Sequence, residues 1–479
     1  MRTRHPVWLP LIFASLATIT ANAQSFRVQC PTATPLHTQG GTAPGAIKCQ
    51  QISGGDGYAT MADGTQTYLF AFGPLSGLPD IKNGLPGTEL NTTFNDITNS
   101  NSAVGLVLDP ATNPPSITGH VDPRQIIDTG VMNGNIPAPL IAIDEDDEFF
   151  LTLSNVGMIM RPDLFEQHTV HFHGYPNASS FYDGVPDASV AINIGGSFTY
   201  YYLAPDAGTY FWHCHITPPE HLQMGMVGQL YVRPRQNRVT SGTLYAGLVN
   251  QQSDLRTVSN CASDILCPSP LPPPNNVTHG LNKSGQPTLY AYNDGDGSTA
   301  YDVEYPLQIH GFDPNFHFVG MTFNPEGFAD MKDKFFLLNG RSYPDTVTPG
   351  PMQTPSSDGL MHFSQPLPSI ISIPVGGRAL LRISDLDVSE YQTLASLGIP
   401  MQVIAVNARL LRDEAGNNLY YTTNSITLGG GESLDVILDA SDMTKYPKGS
   451  TFYLYTPQLD HLSNDAENFG GLMTEVSIN

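Results

Sequence analysis

Short apolar runs closed by turn residues dominate the chain. "EFFLTLSN" (148–155), "SFTYYYLA" (197–204), "GQLYVRP" (228–234), "FFLLNG" (335–340), "ISIPVGGRALLRIS" (371–384), "MQVIAV" (401–406) and "SLDVILDA" (433–440) read as strands ended by Gly, Pro, Asn or Asp. No long stretch keeps a helical period. Many short strands with frequent turn signals predict an all-β chain of Greek-key β-sandwiches. Residues 24–120 hold low-complexity loops such as "GLPGTELNTTFNDITNSNS" and read as an irregular N-terminal extension, part of it packed on the first sandwich. "CPSPLPPPNN" (267–276) marks a linker. The expected order is a first sandwich over 121–236, a linker over 237–299 and a second sandwich over 300–479.

The two sandwiches echo each other. "NGNIPAP" (133–139) answers "NGRSYP" (339–344), and "GGSFTYYY" (195–202) answers "GESLDVIL" (431–438). "GTYFWHCH" (208–215) aligns with "GSTFYLYT" (449–456), and "MGMVGQLYV" (224–232) with "GGLMTEVSI" (470–478). Such internal similarity predicts a duplicated domain. In this alignment the second copy has Leu454-Tyr455-Thr456 where the first has His213-Cys214-His215.

Composition adds compartment and partners. With 44 acidic and 21 basic residues the formal net charge is -23, which argues against nucleic acid or an anionic membrane as partner. Arg2 and Arg4 precede an apolar run from Val7 to Ile19, and "ANA" (21–23) fits a small-residue cleavage site. Residues 1–23 therefore read as a secretory signal peptide, and the mature protein is expected in the periplasm or outside the cell. Export permits disulfides, and Cys30 with Cys49, and Cys261 with Cys267, are plausible local pairs. Cys214 is left over, and metal ligation is one reason for such a thiol to persist.

The candidate chemistry lies in two stretches, "HTVHFHGY" (168–175) and "YFWHCHITPPEHLQMGM" (210–226). Side chains alternate faces along a strand. His171 and His173 then share one face and His168 points to the other. Likewise His213 and His215 share a face, opposite Cys214. One set is His168 and Cys214, joined by His221 and Met226 from the following loop. A thiolate, two imidazoles and a weak axial thioether describe a blue-copper electron-transfer site. Met224 competes for the axial place, and the terminal "GM" favours Met226. The other set, His171, His173, His213 and His215, suits a second copper centre and supplies the candidate catalytic residues. Zinc also uses Cys and His, but a tetrahedral zinc site explains neither the alternating faces nor the terminal Met.

"HxxHxHG" with "HCHxxxxxHxxxGM" resembles the copper motifs of the multicopper oxidases, the laccase-like family. The resemblance covers about residues 121–479. It implies two cupredoxin-like domains, with His168, Cys214, His221 and Met226 as type 1 copper ligands. It implies His171 as a type 2 ligand and His173, His213 and His215 as type 3 ligands. The implied activity is one-electron oxidation of a reductant, a phenol or a low-valent metal ion, coupled to dioxygen reduction at the histidine-bound centre.

The chain departs from that pattern. Five residues, "ITPPE", stand between "HCH" and His221, where the family has three; this resembles the longer loops of copper nitrite reductases. The motifs sit in the first sandwich rather than the last. A trinuclear cluster needs eight histidines from two facing domains, and the motifs supply four. His37, His120, His279, His310, His317, His362 and His461 form no HxH pair. The missing ligands are expected from another subunit of a homo-oligomer or from these histidines. Two other readings stay open: a nitrite-reductase-like enzyme, and a copper-binding electron carrier that lost oxygen chemistry. Asp183 reads as a turn residue, Trp212 as core, and "DEDDE" (144–148) as a solvated edge.

Overall fold

The structure is a computed structural model that describes residues 26–38, 45–96, 106–109, 116–174, 179–204, 206–239, 241–251, 270–320 and 327–479. The expected signal peptide and the Cys261–Cys267 pair lie outside the described residues. No helix among the described residues is long and apolar enough to cross a membrane.

Strands dominate, in two sandwiches. The first is built from β1 (Ile47–Thr60), β2 (Gln66–Pro74), β3 (Ile141–Asp144), β4 (Glu148–Gly157), β5 (His171–Phe172), β6 (Ser197–Leu203), β7 (Gly208–His213) and β8 (Val227–Arg233). One sheet runs β2-β1-β4-β6 and the other β3-β8-β7-β5. β1 lies parallel to β4, and β3 parallel to β8.

This corrects the expected irregular extension. β1 and β2 fall within residues 24–120, yet with Glu89–Leu90, which pairs with β1, they supply three of the five strands of one sheet of the first sandwich. β1 is buried along almost its whole length. Its "QQISGGDG" core carries glycines and polar residues, so it lacks the apolar signal of a strand. Pairing on both sides supplies what its own propensity does not. Cys30 and Cys49 are joined by a disulfide, which ties the segment before β1 to its start.

The second sandwich repeats the first. Its strands are β9 (Val303–Phe312), β10 (Phe335–Leu338), β11 (Ile371–Ile373), β12 (Arg378–Asp385), β13 (Gln392–Leu397), β14 (Ser433–Asp439), β15 (Thr451–Tyr455) and β16 (Met473–Ile478). They order as β10-β9-β12-β14 and β11-β16-β15-β13, strand for strand the order of the first copy. Met401–Val406 and Ser425–Leu428 extend the edges beyond β14 and β13.

The register corrects one sequence alignment by a residue. His171 pairs with His213 in the first copy, and Ala395 with Tyr455 in the second. Val227 opposes His213, and Met473 opposes Tyr455. Tyr455, Thr456 and Pro457 therefore occupy the places of His213, Cys214 and His215. The extra serine in "GST" had displaced the match.

The acidic run 144–148 is not a solvated edge. Glu145, Asp146, Asp147 and Glu148 are buried. Glu145 accepts from Arg235 N–H at 2.7 Å and from Asn293, and Asp146 pairs with Arg235 at 2.5 Å. These contacts also fix the expected linker, because Asn293 and Gln236 bridge its two ends at 3.0 Å. Trp212 is wholly buried, 5.0 Å from the Phe72 ring, as core packing requires.

The β3-β8-β7-β5 sheet packs on β9, β12 and β14 of the second sandwich. Arg382 and Arg233 both bond Glu304, at 3.0 and 2.5 Å, and Thr209 donates to Asp435 at 2.6 Å. Burial raises the Glu304 carboxyl, but the two guanidinium groups outweigh it and hold it down at about 2. Arg382 is fully buried between Glu304 and Asp435. Arg382→Ala leaves both carboxylates without their shared cation and is expected to cost about 3–5 kcal/mol, read as a lower urea midpoint at unchanged slope.

Candidate metal centre

β7 ends at His213, and the chain passes through Cys214 and His215 into a short helix, α1 (Pro218–Gln223). Pro218 and Pro219 suit its first turn, where no N–H is needed. Thr217 enters in the left-handed region at φ 36° and turns the chain back. The helix absorbs the five-residue spacing and swings His221 over Cys214. His221 N–H donates to the Thr217 carbonyl at 3.1 Å. Met226 then returns to the site: its N–H donates to the His221 carbonyl at 2.8 Å, and its carbonyl accepts from Cys214 N–H at 3.1 Å. Met224 and Met226 are both buried in the core that holds Cys214.

The structure brings His168, Cys214 and His221 together. Their nearest ligand atoms lie within 4.8 Å of one another, and all three side chains are buried. His221 Nδ1 is 3.2 Å from Cys214 Sγ. Thr169 N–H points at the same sulfur from 3.4 Å. Burial alone would raise the Cys214 thiol; the charges of His221 and His168, with the His221 hydrogen bond, overcome it and hold the thiol well below its ordinary value. Burial likewise opposes a charged His221, but the thiolate and Glu166, whose carboxylate is 3.5 Å from Nε2, push it up to about 9. Both ring nitrogens of His168 are buried without a hydrogen-bond partner. Nitrogens so placed, beside a thiolate, are suited to a soft metal ion.

The second set gathers on the other side of the Cys214 peptide. His171, His173 and His213 place their ligand atoms within 4.8 Å of one another. His173 Nε2 and His213 Nε2 are 3.2 Å apart. With neutral rings, His171 Nδ1–H donates to the Asp183 carbonyl at 2.6 Å, and His213 Nδ1–H to the Cys214 carbonyl at 2.7 Å. Each bond leaves Nε2 free as a donor to a metal. His215 stands beside them, its ring 5.0 Å from His171, and its N–H donates to Thr169 Oγ1 at 3.0 Å. Burial, with the charges of neighbouring histidines, lowers His173 to about 4; burial lowers His213 to about 3.

Strand parity separates the two sets as the sequence suggests. Sequence reasoning missed three supports: Thr169, Glu166 and the Asp183 carbonyl. Thr169 sits inside the motif, but only the fold aims its N–H at sulfur and its hydroxyl at His215. Two buried histidines outside these sets are held by backbone carbonyls. His310 Nε2 meets the Leu222 carbonyl at 3.0 Å, and His317 Nε2 the Gln223 carbonyl at 3.0 Å.

The fold and the Cys/His site define a cupredoxin-type sandwich pair. Residues 118–237 match the family model described as multicopper oxidase. A laccase from Aspergillus fumigatus, abr2, is 34% identical over 109 residues, 22% of this chain and 17% of that protein. The multicopper oxidase MCE of Talaromyces pinophilus is 31% identical over 135 residues, 28% of this chain and 20% of that protein. The chain thus matches only about a fifth of the length of these relatives. The blue copper oxidase of Nitrosomonas europaea shares the fold, with a TM-score of 0.51 at 18% identity, covering 90% of this chain and 85% of that one. Over residues 118–237 the chain is thus similar to the multicopper oxidases.

Two outcomes follow from the geometry. A Cβ on Gly54 would lie 2.7 Å from the His168 ring. Gly54→Val is expected to displace His168 and abolish the copper–thiolate absorption, with overpacking costing about 1–3 kcal/mol in thermal melts. His173 and His213 have folded values below the ordinary 6.5. Between those values the unfolded chain binds more protons, so stability falls as pH drops. The metal-free protein is expected to lose thermal stability progressively from about pH 6.5 toward about pH 3–4, a loss that His213→Gln reduces.

Proposed function

We propose that the protein is a copper-dependent oxidoreductase of the multicopper oxidase type. It takes single electrons from a small reductant, a phenol or a low-valent metal ion, at the Cys214 site and delivers them to dioxygen at a histidine-bound copper centre. The observation that carries this reading is the connection between the two residue sets. Cys214 provides the thiolate of one, and its two chain neighbours belong to the other.

Cys214, His168 and His221, with Met226 in the same core, would hold a copper ion, which would supply one-electron redox chemistry. The chain's own groups do the rest. Thr169 N–H donates to the sulfur and steadies its negative charge. Glu166 orients His221 and sets a carboxylate at its outer edge, where a cation or a phenolic proton is attracted. The path between the sets is doubled: the Cys214–His213 covalent link is paralleled by the His213 bond to the Cys214 carbonyl. Asp183 holds the His171 tautomer. The Cys30–Cys49 disulfide supports export to an oxidising compartment, periplasmic or extracellular.

A second reading, an electron carrier without oxygen chemistry, is favoured by one observation: among the described residues, the second sandwich lines the cavity beside His173 and His213 with no histidine. Nitrite turnover without oxygen uptake would instead favour the nitrite-reductase-like reading raised by the long Cys214–His221 spacing.

Copper-loaded protein is expected to show intense visible absorption and reductant-dependent oxygen uptake. Cys214→Ser is expected to abolish the absorption and reduce uptake to background while the fold, followed by circular dichroism, persists. Uptake at the wild-type rate in that variant would refute the electron entry point.

A further inference from the structure

The trinuclear copper cluster implied by the family takes four imidazoles from each of two facing domains. The duplicated topology shows what stands at every corresponding place in the second sandwich. The register of β13 with β15 matches that of β5 with β7. His171 and His173 correspond to Ala395 and Leu397, and His213 and His215 to Tyr455 and Pro457. No imidazole remains at any of the four. The loss extends to the thiolate set. Thr456 N–H bonds the Leu472 carbonyl at 2.9 Å as Cys214 N–H bonds that of Met226, and Leu472 N–H bonds the His461 carbonyl at 3.1 Å as Met226 N–H bonds that of His221. Thus Gln392, Thr456, His461 and Leu472 hold the places of His168, Cys214, His221 and Met226. His461 survives, hydrogen-bonded to Gln392 at 3.1 Å and 3.4 Å from Glu390, as His221 is 3.5 Å from Glu166.

What faces the histidines from this chain's second sandwich is also unlike a half-cluster. His173 and His213 line a cavity of about 730 Å³ whose opposite wall carries Asp387, Glu390 and Glu432. The Gly429–Gly431 loop comes so close that a Cβ on Gly431 would be 3.0 Å from His173 Cε1. Backbone occupies the space from which a second set of rings would reach. Another subunit does not repair this, because its second sandwich carries the same Ala395, Leu397, Tyr455 and Pro457. His310, His317 and His461 are buried in their own contacts in every copy, and His37, His279 and His362 are bonded to Glu148, the Gln236 carbonyl and Asp358. A three-copper cluster does not fit these residues.

We propose that the second centre holds a single ion, bound by His171, His173 and His213, with His215 beside it, so that the chain carries two coppers rather than four. The convergence of three ligand atoms within 4.8 Å, with two of them 3.2 Å apart, is the arrangement of donors around one ion. This rests on reading the Cys214 site as copper, and the test separates the two claims.

Purified protein is loaded with copper, freed of excess metal and analysed for copper per chain and for unpaired spins by electron paramagnetic resonance. Two coppers and two spins per chain are expected, because neither ion has a partner close enough to cancel its spin. Four coppers with only two spins would overturn the proposal, since that is the signature of a coupled pair. Cys214→Ser is expected to lose the visible absorption and keep one copper and one spin; three coppers retained would overturn it. His173→Ala is expected to keep the absorption and drop to one copper, and two coppers retained would overturn it. If the wild-type protein shows no copper–thiolate absorption, the Cys214 reading fails. The single-ion proposal then stands on one histidine-bound copper per chain and falls on three.

Discussion

A fully buried sulfur held as a thiolate is the constraint around which the first sandwich is arranged. Burial by itself makes such a charge costly. Here His221, His168 and the Thr169 N–H converge on Sγ and repay the desolvation. They arrive from two separate parts of the chain, His168 and Thr169 from the segment before β5 and His221 from α1, onto a sulfur at the end of β7. Gly54 on β1 is bare because the His168 ring fills the space a side chain would take. The strand that the sequence disguised is thus the floor of the site.

The same backbone serves both metal sets. Side chains on either side of Cys214 emerge on the opposite face, and the pairing of His171 with His213 brings the two histidine motifs together there. The Cys214 carbonyl accepts from His213, so one peptide belongs to both candidate sets. The second sandwich repeats this scaffold without its ligand set. Gln392, Thr456 and Leu472 keep the shape of the thiolate pocket while removing its sulfur and one imidazole. The second sandwich now acts as a lid: it covers the histidine face with carboxylates and a glycine loop and is fastened by the Arg233–Glu304–Arg382 network.

Much of the site was legible beforehand, because strand parity is a local rule. Knowing only that "HTVHFHG" and "HCH" are extended sorts six candidate ligands onto two faces. The β-sandwich class was equally local, carried by apolar runs and their turns. β1 was not legible, since a strand hydrogen-bonded on both sides needs no apolar signature of its own. The buried "DEDDE" run was misread for a related reason: charge patterning says nothing about Arg235, Asn293 and His37 arriving from far along the chain to satisfy it.

The sequence by itself determined which side chains are candidate metal donors and which of them share a face, because both follow from residue chemistry and a two-residue period. Only the tertiary structure decided what meets those faces. The one-residue shift between the copies, the acidic wall opposite His173 and the glycine loop against its ring depend on pairing register and on how two sandwiches dock. Those are set by contacts between residues hundreds of positions apart, and no local pattern encodes them.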